Sequence, residues 1–172
     1  EAAAETILTL AAHAEAIGSD RWRAEALLAA ATAAFLAGRY DEVRHKLDPA
    51  FELYRMLDDT AGLVRCYCLM AETATYQGPL ESVRSHLEQA RRLAEAQADY
   101  TLLLPVLRSA ARSALLQQDS AAAEGFARQM LELAERVGDR EGEADACHYL
   151  AVLAARRYQL DEANRLYARA EE

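Results

Sequence analysis

Apolar residues recur along this chain at helical spacing. Leu27, Ala30, Ala31 and Ala34 fall at i, i+3, i+4 and i+7, the stripe of a helix that buries one face. A second stripe follows, made of Val43, Leu47, Ala50, Tyr54 and Leu57, and it returns as Val83, Leu87, Ala90, Ala94 and as Ala123, Ala127, Met130, Ala134. The pattern predicts one helix from about Asp20 to Ala37 and another from about Asp41 to Leu57, with Gly38-Arg39-Tyr40 as the turn between them.

Shifting the sequence by forty residues aligns Ala31 with Ala71, Ala111 and Ala151, and Ala34 with Ala74, Ala114 and Ala154, without a gap. Two further columns keep register: Ile17, Leu57, Gln97, Val137, and Ser19, Asp59, Asp99, Asp139. A fixed period of this size marks a solenoid, whose units bury their apolar faces only by stacking. The expected organisation is a single helical-repeat domain over 1-172, all-α, about nine helices in antiparallel pairs. Residues 1-17 form a lone second helix, followed by repeats at about 18-57, 58-97, 98-137 and 138-172. The chain starts without Met and ends inside a helical pattern, so the reading is of a fragment of a longer protein. Its cut ends would expose helix faces and favour self-association.

The alanine column explains itself, because a small residue lets neighbouring helices approach to roughly 8 to 10 Å. Asp20, Asp59, Asp99 and Asp139 are N-cap candidates, their carboxylates accepting the unpaired N–H groups of a first turn. Gly38 and Gly78 are expected to close their helices in the left-handed conformation, with Pro79 opening the next one. The third and fourth turns, Gln118-Asp119-Ser120 and Tyr158-Gln159-Leu160, lack that glycine. Pro49 is expected on an exposed face, kinking or splitting its helix; Pro105 lies close to a first turn if its helix starts near Thr101, and bends the helix if it starts at Asp99.

Composition narrows the class. With 52% hydrophobic residues, 27% charged, 7 Gly and 3 Pro, the chain is too apolar for disorder and too poor in turn formers for a many-stranded sheet. Its 19 basic and 28 acidic residues give a net charge of -9, which disfavours non-specific nucleic-acid binding. The longest apolar stretch, Ala26 to Ala37, is well short of a roughly 20-residue membrane span. Cys66, Cys68 and Cys147 have neither zinc-knuckle nor disulfide-framework spacing, so reduced thiols and a cytoplasmic location are expected.

Ala31, Gly38, Tyr40, Val43 and Ala50 form a small residue midway down a first helix, a Gly-x-Tyr-x-x-small turn and a small residue in a second helix. In this the chain resembles the tetratricopeptide repeat. Its forty-residue period departs from the family's usual 34, and the position where the family often has Trp holds Leu27, Tyr67, Leu107 and Cys147. Forty-residue versions look like those of large bacterial signalling ATPases and transcription activators, where such arrays are sensor or docking segments. The resemblance implies a right-handed superhelix and a concave groove lined by the first helices. It also implies a non-catalytic role in protein–protein interaction within a larger regulatory protein.

Carried onto this sequence, the groove positions include Phe35, Arg65, Glu72, Tyr76, Arg108, Arg112, His148 and Arg156. The arginines and His148 would make a cationic patch able to fork onto carboxylates, pointing to an acidic protein or peptide partner. Ion pairing between Glu72 and Arg112, which occupy equivalent positions of adjacent repeats, is the competing structural explanation. The Lys and Asn of the family's carboxylate clamp are absent. An alternative function is effector sensing, with Trp22, Phe35, Tyr67, Tyr76 and Tyr149 lining a site for a small apolar ligand, against the simpler reading as core. His13, His45, His86 and His148 fall at different repeat positions, and no nucleophile–base or phosphate-loop motif occurs. Neither an enzyme, a cofactor nor a metal is expected.

Overall fold

The computed structural model describes residues 18–97 and 99–171. The lone second helix expected over 1-17, with His13 and Ile17, lies outside the described residues. Among those described, every regular element is helical: α1 (Asp20–Leu36), α2 (Tyr40–Met56), α3 (Thr60–Gln77), α4 (Leu80–Ala96), a 3-10 turn (Tyr100–Leu102), α5 (Leu103–Leu116), α6 (Ser120–Val137), α7 (Arg140–Arg156) and α8 (Leu160–Ala170). No described helix is long and apolar enough to cross a membrane. The chain divides into two compact units that meet in sequence between Leu93 and Ala94, inside α4.

In the first unit α1 packs on α2, α2 on α3, and α1 also touches α3. The core joins Leu28, Ala31 and Phe35 of α1 to Val43, Leu47, Ala50 and Tyr54 of α2 and to Cys66 and Leu69 of α3. The second stripe is therefore buried from Val43 to Tyr54, but Leu57 lies past the helix end and is 41% exposed. Pro49 does not split α2, which runs unbroken through it. It faces solvent between the buried Leu47 and Ala50.

In the second unit α5 packs on α6, α6 on α7 and α7 on α8. Leu104, Met130, Leu133, Ala134 and Ala146 form one core cluster, and Ala114, Ala123 and Leu153 another. Pro105 is the third residue of α5, where its missing N–H has no intrahelical partner to lose. Ala31, Ala71, Ala111 and Ala151 are each fully buried, so the ladder read from the sequence is the constant contact of the first helices.

The turns repeat at half the sequence period. Gly18, Gly38, Asp58, Gln118, Gly138 and Tyr158, spaced at multiples of twenty residues, all take positive φ. The N–H of the next residue then donates to the carbonyl five back, as in Arg39 to Ala34, Asp59 to Tyr54, Asp119 to Ala114, Asp139 to Ala134 and Gln159 to Ala154. Gly78 is the exception to the expected left-handed closure. It is extended, with φ -114° and ψ 172°, because Pro79 behind it restricts the residue it follows. Asp59, Asp99 and Asp139 accept hydrogen bonds from the backbone N–H groups of Gly62, Thr101 and Gly142 as expected. Asp20 does not cap α1: it is the first helical residue and pairs with Arg23, while Ser19 holds the cap position. Asp119 caps α6 by accepting from the Ala122 N–H.

Candidate functional site

In the first unit, equivalent positions of α1 and α3 carry opposite charges. The Arg65 guanidinium forks onto Glu25, Nη1 to Oε2 at 3.0 Å and Nη2 to Oε1 at 2.5 Å. Its Nη2 also donates to the Tyr54 hydroxyl at 3.3 Å. The hydrogen bond from Arg65 holds the Glu25 carboxyl below its ordinary range, although partial burial works the other way. Burial raises the Tyr54 phenol and pushes the neighbouring Cys66 thiol up to about 12, so both stay protonated at neutral pH. Cys66, Cys68 and Cys147 are all unbridged and buried.

At the far end of α1 and α3, Phe35 and Tyr76 come together with Tyr40. The Tyr40 and Tyr76 rings stack at 4.8 Å, and Phe35 meets Tyr76 at 5.8 Å and Tyr40 at 5.6 Å. Phe35 is buried, whereas Tyr76 remains 43% exposed. Tyr67 turns instead to Phe51 and His86. Phe35, Tyr40, Tyr76 and Tyr67 thus pack against neighbouring rings, and the separation of stacked Tyr40 and Tyr76 leaves no room for a ligand between them. Trp22 instead stays 56% exposed beside Arg21 and Glu25.

In the second unit, Arg108 donates to Asp145 at 2.9 Å and lies 3.6 Å from Glu141. Arg156 donates to the Leu115 carbonyl at 3.3 Å. His148 is exposed and lies beside Tyr149 and Tyr167, at ring separations of 6.0 and 5.8 Å. Glu72 on α3 and Arg112 on α5 are half-buried. Arg65 and Arg108 each hold an internal carboxylate, which lowers the positive charge expected on the first-helix face. Tyr54, the hub of the first ion pair, is not among the residues the repeat pattern places in the groove. The available signal was a large aromatic in a column that holds Ala94 and Ala134 in later repeats, eight residues before Gly62.

A groove opens on the other side of the first unit, between α2, α3 and α4. Its volume is about 390 Å³, with Val43 and Leu47 at its base and Met70, Thr73 and His86 on its walls. Burial lowers the His86 pKa, so the imidazole is neutral at pH 7. No group of three or more His, Cys, Asp or Glu placed to hold a metal occurs among the described residues.

No protein-family profile matches the chain, and comparison with curated proteins finds no match.

Proposed function

We propose that this chain is a non-catalytic interaction scaffold, a right-handed superhelical array of the tetratricopeptide type that binds a protein or peptide along its first helices. On this reading it serves within a larger cytoplasmic regulatory protein. The observation that carries the proposal is the contrast between two sets of positions on the same helices. The alanine at 31, 71, 111 and 151 is identical and fully buried in every repeat. The column that starts at residue 25 changes instead, reading Glu25, Arg65, Pro105 and Asp145, and the column at 32 reads Thr32, Glu72, Arg112 and Val152. A constant buried ladder under a variable outer surface is the economy expected of a repeat scaffold whose specificity resides in side chains rather than backbone.

The partner chemistry follows from the arginines. Arg65 and Arg108 are already oriented by Glu25 and Asp145, so an incoming carboxylate would exchange for an internal one without reorganising the guanidinium. An acidic segment or a free C-terminus fits that exchange. The test is an array of acidic, neutral and basic peptides probed with the chain at low and physiological salt. Saturable binding of acidic peptides that weakens with salt supports the proposal. Uniform absence of binding, or preference for basic peptides, overturns it.

A further inference from the structure

The groove between α2, α3 and α4 has a counterpart eighty residues later, between α6, α7 and α8. The second groove is smaller, about 240 Å³ against about 390 Å³. The difference traces to particular substitutions. Leu153 and Leu166 line the second groove where Thr73 and His86 line the first. Leu153 is nearly fully buried, so it plugs the space that the shorter, polar Thr73 leaves open.

The second groove is also bolted by charge. Glu124, whose side chain is only 18% exposed, is gripped by Arg128 along its own helix and by Arg157 at 2.5 Å from the end of α7. In the first unit that bolt is missing. The equivalent Arg44 and Asp48 pair with each other along α2 at 3.4 Å, and Gln77, which stands where Arg157 does, turns away to Asp41 at 3.2 Å. One repeat position is thus closed by two leucines and an Arg–Glu–Arg bridge in one unit, and opened and given hydrogen-bonding groups in the other.

We propose that the open groove of the first unit is a binding site for a small neutral aromatic alcohol, a ligand of the simple phenol class. Its size lies within the range of small-molecule sites. Its base is aliphatic, and Met70 offers a thioether to an aromatic ring. Its polar groups are of mixed character: a neutral imidazole and the Ser82 hydroxyl each donate and accept, which matches a phenolic O–H that does both. The charges at its rim, Arg44 and Asp48, cancel each other, so nothing there selects an ion. The site uses a different face of α3 from Arg65 and Tyr76, and it stands whether or not the first helices bind a peptide.

The chain's three methionines provide the test, because Met70 lines the groove, Met130 is in the core of the second unit and Met56 is exposed at the end of α2. With carbon-13-labelled methionine methyls, titration with p-cresol should move the Met70 signal saturably, with a dissociation constant in roughly the millimolar range for so small a probe. Met56 and Met130 should stay in place. Thr73→Leu and His86→Leu install the residues that the second unit carries at these positions, and each should weaken binding by about tenfold or more while the chain remains folded. Equal shifts at all three methionines, no saturable shift at Met70, or undiminished binding in both leucine variants would overturn the proposal.

Discussion

The ring of Tyr54 occupies the space that a side chain at residue 62 would need. A Cβ built on Gly62 would lie 2.1 Å from Cδ1 of Tyr54, and Tyr54 is itself fully buried. At the equivalent place in the second unit, a Cβ on Gly142 would meet the Cβ of Ala134 at 3.1 Å, with Cγ of Asp139 at 3.4 Å and Cδ2 of Leu104 at 3.5 Å. The two glycines occupy the same column, yet one accommodates a large aromatic and the other a methyl.

Gly62→Ala should therefore destabilise the chain by about 1–3 kcal/mol, the cost of forcing a packed ring aside. Gly142→Ala should cost less than that, since alanine's helix propensity offsets part of a mild crowding. Urea denaturation of the two variants checks the order. A Gly62→Ala protein as stable as the parent would show that the Tyr54 ring is not held where the structure has it.

The first ion pair predicts a pH dependence. Glu25 titrates below its ordinary value in the folded chain, so its contribution is present above the unfolded pKa and is lost as pH falls through the folded one. Glu25→Gln should lower stability at pH 7 by no more than about 1 kcal/mol, because the pair is partly exposed and screened. The gap between variant and parent should close in acid, below the folded pKa of Glu25. Unfolding curves at neutral and acid pH decide it; a gap that widens in acid contradicts the assigned direction.

Ala111 belongs to the fully buried ladder. Ala111→Leu should cost about 1–3 kcal/mol by overpacking the contact between helices. Calorimetry of the variant should show a lowered midpoint, and an unchanged one would mean that the ladder does not set the helix approach.

Tyr158 and Gln118 hold left-handed turns without being glycine, with φ of 59° and 62°. Tyr158→Gly should stabilise the chain by about 0.5–1 kcal/mol, since a residue with a Cβ is strained there. Asp58 has a similar φ of 50°, but Asp tolerates it better, so Asp58→Gly should gain less. Chemical denaturation of the two variants measures both gains, and a destabilised Tyr158→Gly protein would contradict the argument.

These turns also mark the limit of what the sequence makes legible. The forty-residue period exposed the helix pairs and the alanine ladder because burial of a small residue leaves the same letter in each repeat. The twenty-residue spacing of left-handed turns was hidden, since Asp58, Gln118 and Tyr158 do not advertise positive φ, and Gly78 suggested one that Pro79 prevents. Pro49 lies on the exposed face the sequence predicts, but α2 runs through it unsplit. At the first helices, Phe35 and Tyr76 meet at a ring separation of 5.8 Å. The repeat register does not reveal that Arg65 and Arg108 reach Glu25 and Asp145, because a column assigns a face and leaves the direction of a long side chain open. The open groove became visible only by comparing two grooves at the same repeat position.

On the proposed function, the first-helix arginines receive a partner's carboxylates. Calorimetric titration of an acidic peptide with a free C-terminus into the parent chain and into the Arg108→Ala/Arg112→Ala variant tests it most directly. Affinity should be weaker by about tenfold or more in the variant, equivalent to roughly 1.4 kcal/mol, with the helical signal retained and the thermal midpoint lowered only modestly by loss of the Arg108–Asp145 pair. Equal affinity in the two proteins, both folded, would contradict it.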